Sequence, residues 1–179
     1  MIYKYEGCES LNKISIPGSV TKIGSCAFIN CISLVDLEIP KTVSAIGDLA
    51  FLNCSSLASI DIPDSVTQIK SSTFDGCLSL ERVIIPNTIT HIEEEAFAGC
   101  SSLKQIVLPE SINKLDDHVF LGCDSLKSII IKNPYLSIGK DPFFECADLS
   151  SIIIPLNSRE WFEIQMPQYI NLFVEDIDL

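Results

Sequence analysis

Apolar and polar residues recur along this chain with a fixed period of 23 residues. Cysteine marks the repeat at seven positions: Cys8, Cys31, Cys54, Cys77, Cys100, Cys123 and Cys146. Phenylalanine keeps the same step from Phe28 to Phe143, and proline keeps it from Pro17 to Pro109. A period in the twenties predicts a solenoid, in which each turn of the chain buries its apolar face only against the neighbouring turns. We call each such turn a coil.

An alternating segment begins with a leucine three residues after each cysteine. Aliphatic residues follow at six and eight residues after the cysteine, as at Ile60 and Ile62. This period of two, rich in β-branched residues, predicts a short strand with one buried face. Proline ends the strand because it cannot donate to a ladder. One strand per coil predicts a parallel sheet along the solenoid.

The rest of the repeat predicts a second extended piece and then a short helix. The run SVTQI, around Val66 and Ile69, has the spacing of the extended piece. Acidic runs such as Glu93–Glu95 and Asp116–Asp117 follow, where a helix dipole favours negative charge, although a solvated face explains them equally well. Gly or Asn precedes six of the seven cysteines and suits the left-handed residue that closes a helix. We expect one to two helical turns in each coil.

The pattern weakens towards the C-terminus. Lys132 replaces the strand-ending proline, and Tyr135 takes an aliphatic position. We expect residues 1–155 to form a solenoid of about seven coils. Residues 156–179 are expected to form a cap, with a helix that begins at Asn157 or Ser158 and a final strand in INLFVEDIDL. Trp161 is expected to plug the open end of the core.

At the other end of the chain, apolar residues of the first repeat have no neighbouring coil in the sequence. Tyr3, Leu11, Ile14 and Ile16 would then face solvent. We therefore expect further repeats upstream of this chain.

Charge and hydropathy exclude several partners. The chain carries 24 acidic and 12 basic residues, for a net charge of −12, and such a surface repels a phosphate backbone. No apolar run approaches the ~18 residues that span a bilayer. The N-terminal MIYKYEGCES lacks the apolar core of a secretion signal, which leaves a cytoplasmic protein or a mature or trimmed piece.

The regular spacing of the cysteines argues against a disulfide framework. Equivalent side chains in stacked coils have parallel Cβ vectors, which is the wrong orientation for a bridge. We expect the thiol column to be reduced, buried and structural, with a metal ladder or a redox role as the alternative. Cys26 lies off the column in a mostly polar position and is expected to be exposed.

The sequence contains no pattern of catalytic chemistry. His91 and His118 occupy different positions of neighbouring repeats, and neither a glycine-rich phosphate loop nor an H-E-x-x-H helix is present. We expect no enzymatic activity and no cofactor. The acidic clusters Glu93–Glu95 and Asp116–Asp117 offer at most a loose cation site, and solvated charge accounts for them better.

The repeat resembles the BspA-like leucine-rich repeat, L-x-x-I-x-I-P-x-S-V-T-x-I-G-x-x-A-F-x-x-C. LASIDIPDSVTQIKSSTFDGC and LKQIVLPESINKLDDHVFLGC carry the resemblance, which covers roughly residues 5–155. It implies a right-handed α/β solenoid with a parallel sheet of short strands on one face and short helices or turns on the other. It also implies an adhesin-like binding scaffold at a cell surface or outside the cell, with a protein partner such as a host or extracellular-matrix protein, or a glycan. The alternative is a structural spacer without a ligand.

Binder and spacer differ at the outward strand positions. Seven residues after each cysteine stand Ser15, Glu38, Asp61, Ile84, Val107, Ile130 and Ile153. This column is polar for three coils and apolar for four, whereas the neighbouring column, which includes Arg82 and Gln105, stays polar.

Three explanations of the apolar stripe Ile84, Val107, Ile130 and Ile153 remain open. β-propensity alone accounts for exposed Ile and Val, the C-terminal segment could cover them, or they form a contact site. In the contact-site hypothesis, Arg82 and Gln105 form a polar rim, and Glu38 and Asp61 favour a partner with a positively charged end.

Overall fold

One strand from each repeat lies in a parallel front sheet. The structure, a computed structural model, describes residues 5–179. The front strands are β1 (Lys13–Ser15), β3 (Asp36–Glu38), β5 (Ser59–Asp61), β7 (Arg82–Ile84), β9 (Gln105–Leu108), β11 (Ser128–Ile131) and β13 (Ser151–Pro155). Where neighbouring front strands pair, the register is 23 residues, as in Ile129↔Ile106, so equivalent positions of successive repeats lie side by side. The predicted parallel-strand solenoid is confirmed.

A second, narrower side sheet follows the front sheet around each coil. Its two-residue strands are β2 (Lys22–Ile23), β4 (Ala45–Ile46), β6 (Gln68–Ile69), β8 (His91–Ile92), β10 (Lys114–Leu115) and β12 (Ser137–Ile138). They are the second extended piece expected from the sequence. β6, β8, β10 and β12 form one continuous ladder, whereas the front ladder is interrupted between β3 and β5 and between β7 and β9.

The expectation of a short helix in each coil is wrong, because consecutive turns occupy this part of the repeat. The fifth residue before each repeat cysteine from Cys31 to Cys146 adopts positive φ, as at Cys26 (59°), Glu95 (55°) and His118 (55°). A right-handed helix needs φ near −63°, so it cannot pass through this position. Alternate amides donate instead to the next coil, as from Phe28 N to Ala50 O at 2.8 Å. The amides between them close tight turns, as from Ala27 N to Gly24 O.

The left-handed residue before each cysteine is confirmed. Asn30, Asn53 and Gly76 have φ of 59°, 59° and 70°. Glu145, which departs from the Gly and Asn preference, adopts the same conformation with φ of 60°. The backbone register between coils therefore overrides the preference of this side chain.

Aromatic rings and thiols form two continuous columns in the core. The rings of Phe28 and Phe51 stack with centroids 5.3 Å apart and planes within 4°, and Tyr5 extends this stack by one ring. Each buried thiol donates to a backbone carbonyl of the preceding coil, as from Cys77 Sγ to Phe51 O at 3.3 Å. The two columns consequently keep equivalent residues of neighbouring coils aligned with one another.

The C-terminal cap contains a helix, a 3₁₀ helix and a last strand. Helix α1 (Arg159–Gln165) begins after Ser158, whose hydroxyl donates to Pro155 O instead of capping the helix. The 3₁₀ helix spans Pro167–Leu172, and β14 (Phe173–Asp176) joins the front sheet beside β13.

The expectation that Trp161 plugs the core is wrong. Phe162 is fully buried, whereas Trp161 remains 40% exposed and donates from Nε1 to Leu136 O. Similarly, Leu136 enters the core in place of Tyr135, which is 72% exposed and stands edge-on to the Trp161 ring.

At the first repeat, Ile16 is buried and Leu11 and Ile14 are partly buried against the core, so the expectation that they face solvent is wrong. Tyr3 lies outside the described residues.

Gln165 of α1 completes the outer edge of the side sheet. Its Nε2 donates to Leu136 O, and its Oε1 accepts from Ile138 N, each at 2.9 Å. The side-chain amide thus takes the place of a peptide group of a further strand beside β12.

We predict that Gln165→Leu lowers the free energy of unfolding by about 1–3 kcal/mol, because Ile138 N loses its acceptor. Chemical denaturation measures the change. Gln168→Leu is the matched control, since the Gln168 side chain is exposed, its amide donates to Asp141 at the surface, and its removal should cost little. Equal losses in the two variants would contradict this role for Gln165.

Candidate ligand-binding surface on the front sheet

Strand alternation and register bring the apolar stripe to the open face of the front sheet. Ile129 and Ile131 point into the core, so Ile130 between them points outward. The register places Ile130 between Val107 and Ile153, while Ile84 lies beside Asp61. The four residues of the predicted stripe therefore occur in consecutive coils at one position of the sheet.

The stripe is accessible and longer than the sequence indicates. Ile84 is 48% and Val107 is 40% exposed, and Ile130 and Ile153 are half-buried. The C-terminal segment does not cover these side chains, because β14 adds to the sheet edge in the register Ile153↔Val174. Val174, 51% exposed, continues the row. We call Ile84, Val107, Ile130, Ile153 and Val174 the apolar stripe from here on.

Val174 escaped the sequence analysis because it lies outside the 23-residue spacing. The segment INLFVEDIDL indicated a final strand, but a 3₁₀ helix replaces the usual connection and alters the count from the last cysteine. Only the observed pairing with β13 establishes which residue of β14 faces outward.

The polar residues predicted around the stripe are only partly free. Arg82 Nη2 forms an ion pair with Asp61 Oδ1 at 2.9 Å, so these two predicted site residues neutralise one another. Both side chains are more than half exposed, and a pair of this kind contributes little to stability. Gln105 and Glu38 are exposed, and within residues 5–179 Glu38 has no ion-pair partner.

Two clefts open where the front ladder is interrupted. The cleft between β3 and β5 has a volume of about 520 Å³ and is lined by four carboxylates and two cationic side chains: Asp36, Glu38, Asp61, Asp64, Lys41 and Arg82. The cleft between β7 and β9, of about 450 Å³, is lined by Ile84 and Val107 together with Arg82, Lys104 and Lys132. The front sheet thus has an acidic end and an apolar end.

The side sheet carries a separate cluster of charged side chains. Asp116 accepts from His91 Nε2 at 2.9 Å and pairs with Lys114 Nζ at 2.6 Å. Burial opposes ionisation of Asp116, but the hydrogen bond from Lys114 and the neighbouring His91 outweigh it and lower the pKa of this carboxyl. The cluster is satisfied internally and gives the side sheet a structural ion pair.

Burial makes the five buried thiols of the column chemically inert. It raises the pKa of Cys54 to about 12 and that of Cys77 well above the ordinary value. All eight cysteines are free thiols, and Cys31, Cys54, Cys77, Cys100 and Cys123 are buried. Cys26 is half-buried rather than exposed, because its left-handed backbone places it in the turn between coils.

The fold and the repeat together define a leucine-rich-repeat solenoid. The BspA type leucine rich repeat region matches residues 2–123 and 67–165, in six copies. The chain therefore belongs to this family of repeat proteins. No curated protein matches it.

Solved structures of similar proteins share the fold. A T. pallidum leucine-rich repeat protein is 26% identical with a TM-score of 0.68, over 76% of this chain and 77% of that protein. A leucine-rich cell surface protein from Faecalibacterium prausnitzii is 28% identical with a TM-score of 0.67, over 86% and 49%. A leucine-rich repeat protein from Bacteroides ovatus is 29% identical with a TM-score of 0.56, over 84% and 52%. This chain spans about half the length of the latter two proteins.

Thiol labelling should separate Cys26 from the column. Under native conditions at neutral pH, we predict that Cys26 is alkylated rapidly while the five buried thiols remain unmodified, because reaction requires both access and the thiolate. Intact-mass analysis counts the labels, and Cys26→Ser should remove the fastest one. Denaturant should expose all eight thiols. Rapid labelling of several column thiols in the native protein would contradict this prediction.

The thiol column should also make the fold sensitive to alkali. The pKa of Cys54 is raised from 9.0 in the unfolded chain to about 12 in the fold, so the native state retains a proton that the unfolded state loses. The free energy of unfolding should therefore fall as pH rises above about 9, by up to ~1.4 kcal/mol per pH unit for one thiol. Chemical denaturation at several pH values measures the slope. A Cys54→Ala variant should show a shallower decline, and an unchanged slope would exclude a contribution from Cys54.

Proposed function

We propose that this chain is a non-enzymatic scaffold that binds a protein partner through its front sheet. The partner contacts the apolar stripe and carries positive charge at the end that faces β3 and β5. In this proposal the protein acts as an adhesin-like module outside the cell or at its surface.

The observation that carries the proposal is the exposed apolar stripe. Four aliphatic side chains in paired strands form a continuous row from Val107 to Val174, and Ile84 lies beside Val107 across a cleft. No other segment of residues 5–179 covers this face of the sheet. Contiguous exposed apolar surface with a polar surround is typical of an interface. A spacer gains nothing from such a row, so the stripe supports binding over a purely structural role.

Charge at the other end of the sheet restricts the partner. Glu38 and Asp64 line the acidic cleft without ion-pair partners among the described residues, and the chain as a whole carries a net charge of −12. Complementary charge accelerates encounter and orients the partner, whereas the apolar contact supplies most of the affinity. A partner with Lys or Arg side chains at one end of its binding surface would pair with the carboxylates of the acidic cleft while its apolar residues contact the stripe.

Two further features support the proposal: the residue types of the outward columns and the setting of a similar protein. Neither outward column of the front sheet contains a histidine or a cysteine, the side chains most often used for acid–base or nucleophilic catalysis. No helix of the described residues is long and apolar enough to cross a membrane. A surface location is supported by the similar Faecalibacterium prausnitzii structure, which is described as a leucine-rich cell surface protein.

Replacement of the centre of the stripe should weaken binding without unfolding the chain. We predict that Val107→Ser combined with Ile130→Ser raises the partner Kd at least ~10-fold, which corresponds to about 1.4 kcal/mol. Affinity capture from extracellular-matrix extract identifies a partner retained by the wild type and lost from the double variant. Titration calorimetry with that purified partner then measures the Kd.

The control replaces two equally exposed aliphatic residues away from the front sheet. Ile32→Ser combined with Leu78→Ser removes side chains that are 41% and 50% exposed in the turns after two cysteines. This variant should bind like the wild type. Normal binding by the stripe variant, or equal loss in both variants, would place the partner elsewhere.

A further inference from the structure

Three potential metal ligands converge on the turn side of the solenoid, away from the front sheet. Glu94, Glu95 and His118 each present one ligand atom, and these atoms all lie within 4.8 Å of one another. Glu94 is exposed, and Glu95 and His118 are half-buried. The sequence indicates a loose cation site of acidic residues, and the 23-residue spacing also places His118 at the position of Glu95 in the next coil.

The left-handed turn position brings Glu95 and His118 together. They occupy the same position in successive coils, 23 residues apart, and share φ of 55°. Adjacent coils are about 4.8 Å apart in the hydrogen-bonding direction, so the two side chains leave the backbone in parallel. Ser72 N donates to Glu94 O, and Ser72 Oγ approaches Glu95 Oε2 at 3.5 Å. Glu95 N donates to Asp117 O and His118 N donates to Lys140 O, so the fold holds the backbone of all three ligands.

The negative charge of this cluster is not neutralised by the protein. The neighbouring Glu93 and Asp116 are each matched, by Lys70 at 2.6 Å and by His91 with Lys114. In contrast, Glu94 and Glu95 form no ion pair with any residue of 5–179, and the His118 ring has no hydrogen-bond partner there. Burial, together with the charge of Glu95, also raises the pKa of the nearby Asp75. A cation would relieve this repulsion.

We propose that Glu94, Glu95 and His118 bind a divalent transition-metal ion of the zinc class. Carboxylate oxygen and imidazole nitrogen are ordinary zinc ligands, whereas Ca²⁺ and Mg²⁺ take oxygen ligands and would leave the imidazole unused. Ligands of a tetrahedral zinc ion, at about 2.0–2.2 Å from the metal, are about 3.3–3.6 Å apart. The three ligand atoms, which lie within 4.8 Å of one another, therefore need to close by up to about 1.5 Å. Rotation of the flexible glutamate side chains permits this closure, and water completes the coordination.

Such an ion would join two coils of the solenoid. Glu94 and Glu95 belong to one coil and His118 to the next, so bound metal adds a cross-link to the existing hydrogen bonds between them. The three ligands are brought together only in the folded state, whereas the eight thiols of the unfolded chain also bind Zn²⁺, so the site is tested by binding to the native protein. The site lies on the turns and is independent of partner binding at the front sheet.

The two histidines of the chain provide the test, because their ring resonances are resolved separately by NMR. The protein is titrated with Zn²⁺ in a background with Cys8, Cys26 and Cys146 replaced by serine, which removes the three half-buried thiols as competing ligands. We expect the His118 ring resonances to shift at stoichiometric Zn²⁺ and the His91 resonances to remain in place, since His91 is already paired with Asp116. Equimolar Ca²⁺ should leave both rings unchanged.

Variants of the proposed ligands test which side chains bind the metal. His118→Asn keeps a residue that tolerates positive φ, and Glu95→Gln keeps the size of the side chain, so both should fold. Each should raise the Zn²⁺ Kd at least ~10-fold by calorimetry, whereas the control His91→Asn should not. Unchanged affinity in His118→Asn, a shift of the His91 ring instead, or no response of either ring to Zn²⁺ would overturn the proposal.

Discussion

Hydrogen bonding of every coil to the next in one register is the constraint on which this structure depends. A shift of 23 residues places each side chain beside its equivalent in the next coil, so a residue is acceptable only if it packs against a copy of itself. The phenylalanines satisfy this by offset stacking, as for Phe51 and Phe74 at 5.4 Å. The cysteines satisfy it because each small thiol donates a hydrogen bond to a carbonyl of the preceding coil. An aliphatic side chain has no donor for this bond.

The same constraint leaves an unsatisfied edge wherever the stack of coils stops, and the C-terminal cap meets this in two ways. Strand β14 continues the front ladder with main-chain hydrogen bonds. On the side sheet no further strand follows β12, and the amide of Gln165 supplies the missing donor and acceptor to Leu136 and Ile138. Phe162 fills the core below the helix. The cap thus supplies the strand, the hydrogen-bonding groups and the buried ring that a further coil would supply.

Side chains outside the core are free of this packing requirement, and the repeat arranges them in columns. A change of residue type at one position therefore creates a patch several coils long. On the front sheet this produces a row of aliphatic residues beside a group of carboxylates. On the turn side, it places His118 next to Glu95. The same register between coils that makes the core uniform therefore produces surface patches of different chemistry.

Sequence alone determined the features that repeat. The period established which positions are buried, where each strand ends, and that the residue before the cysteine is left-handed, because these follow from local backbone preference and alternation. The outward direction of Ile84, Val107, Ile130 and Ile153 followed in the same way.

Features outside the period were decided by the tertiary structure. Hydrogen bonds between coils, not visible in any single repeat, impose positive φ at Glu95 and His118 and exclude the expected helices. Packing against the last coil selects Phe162 over Trp161 and Leu136 over Tyr135, and pairing with β13 turns Val174 outward. Non-local contacts make each of these choices, since the local sequence permits either outcome.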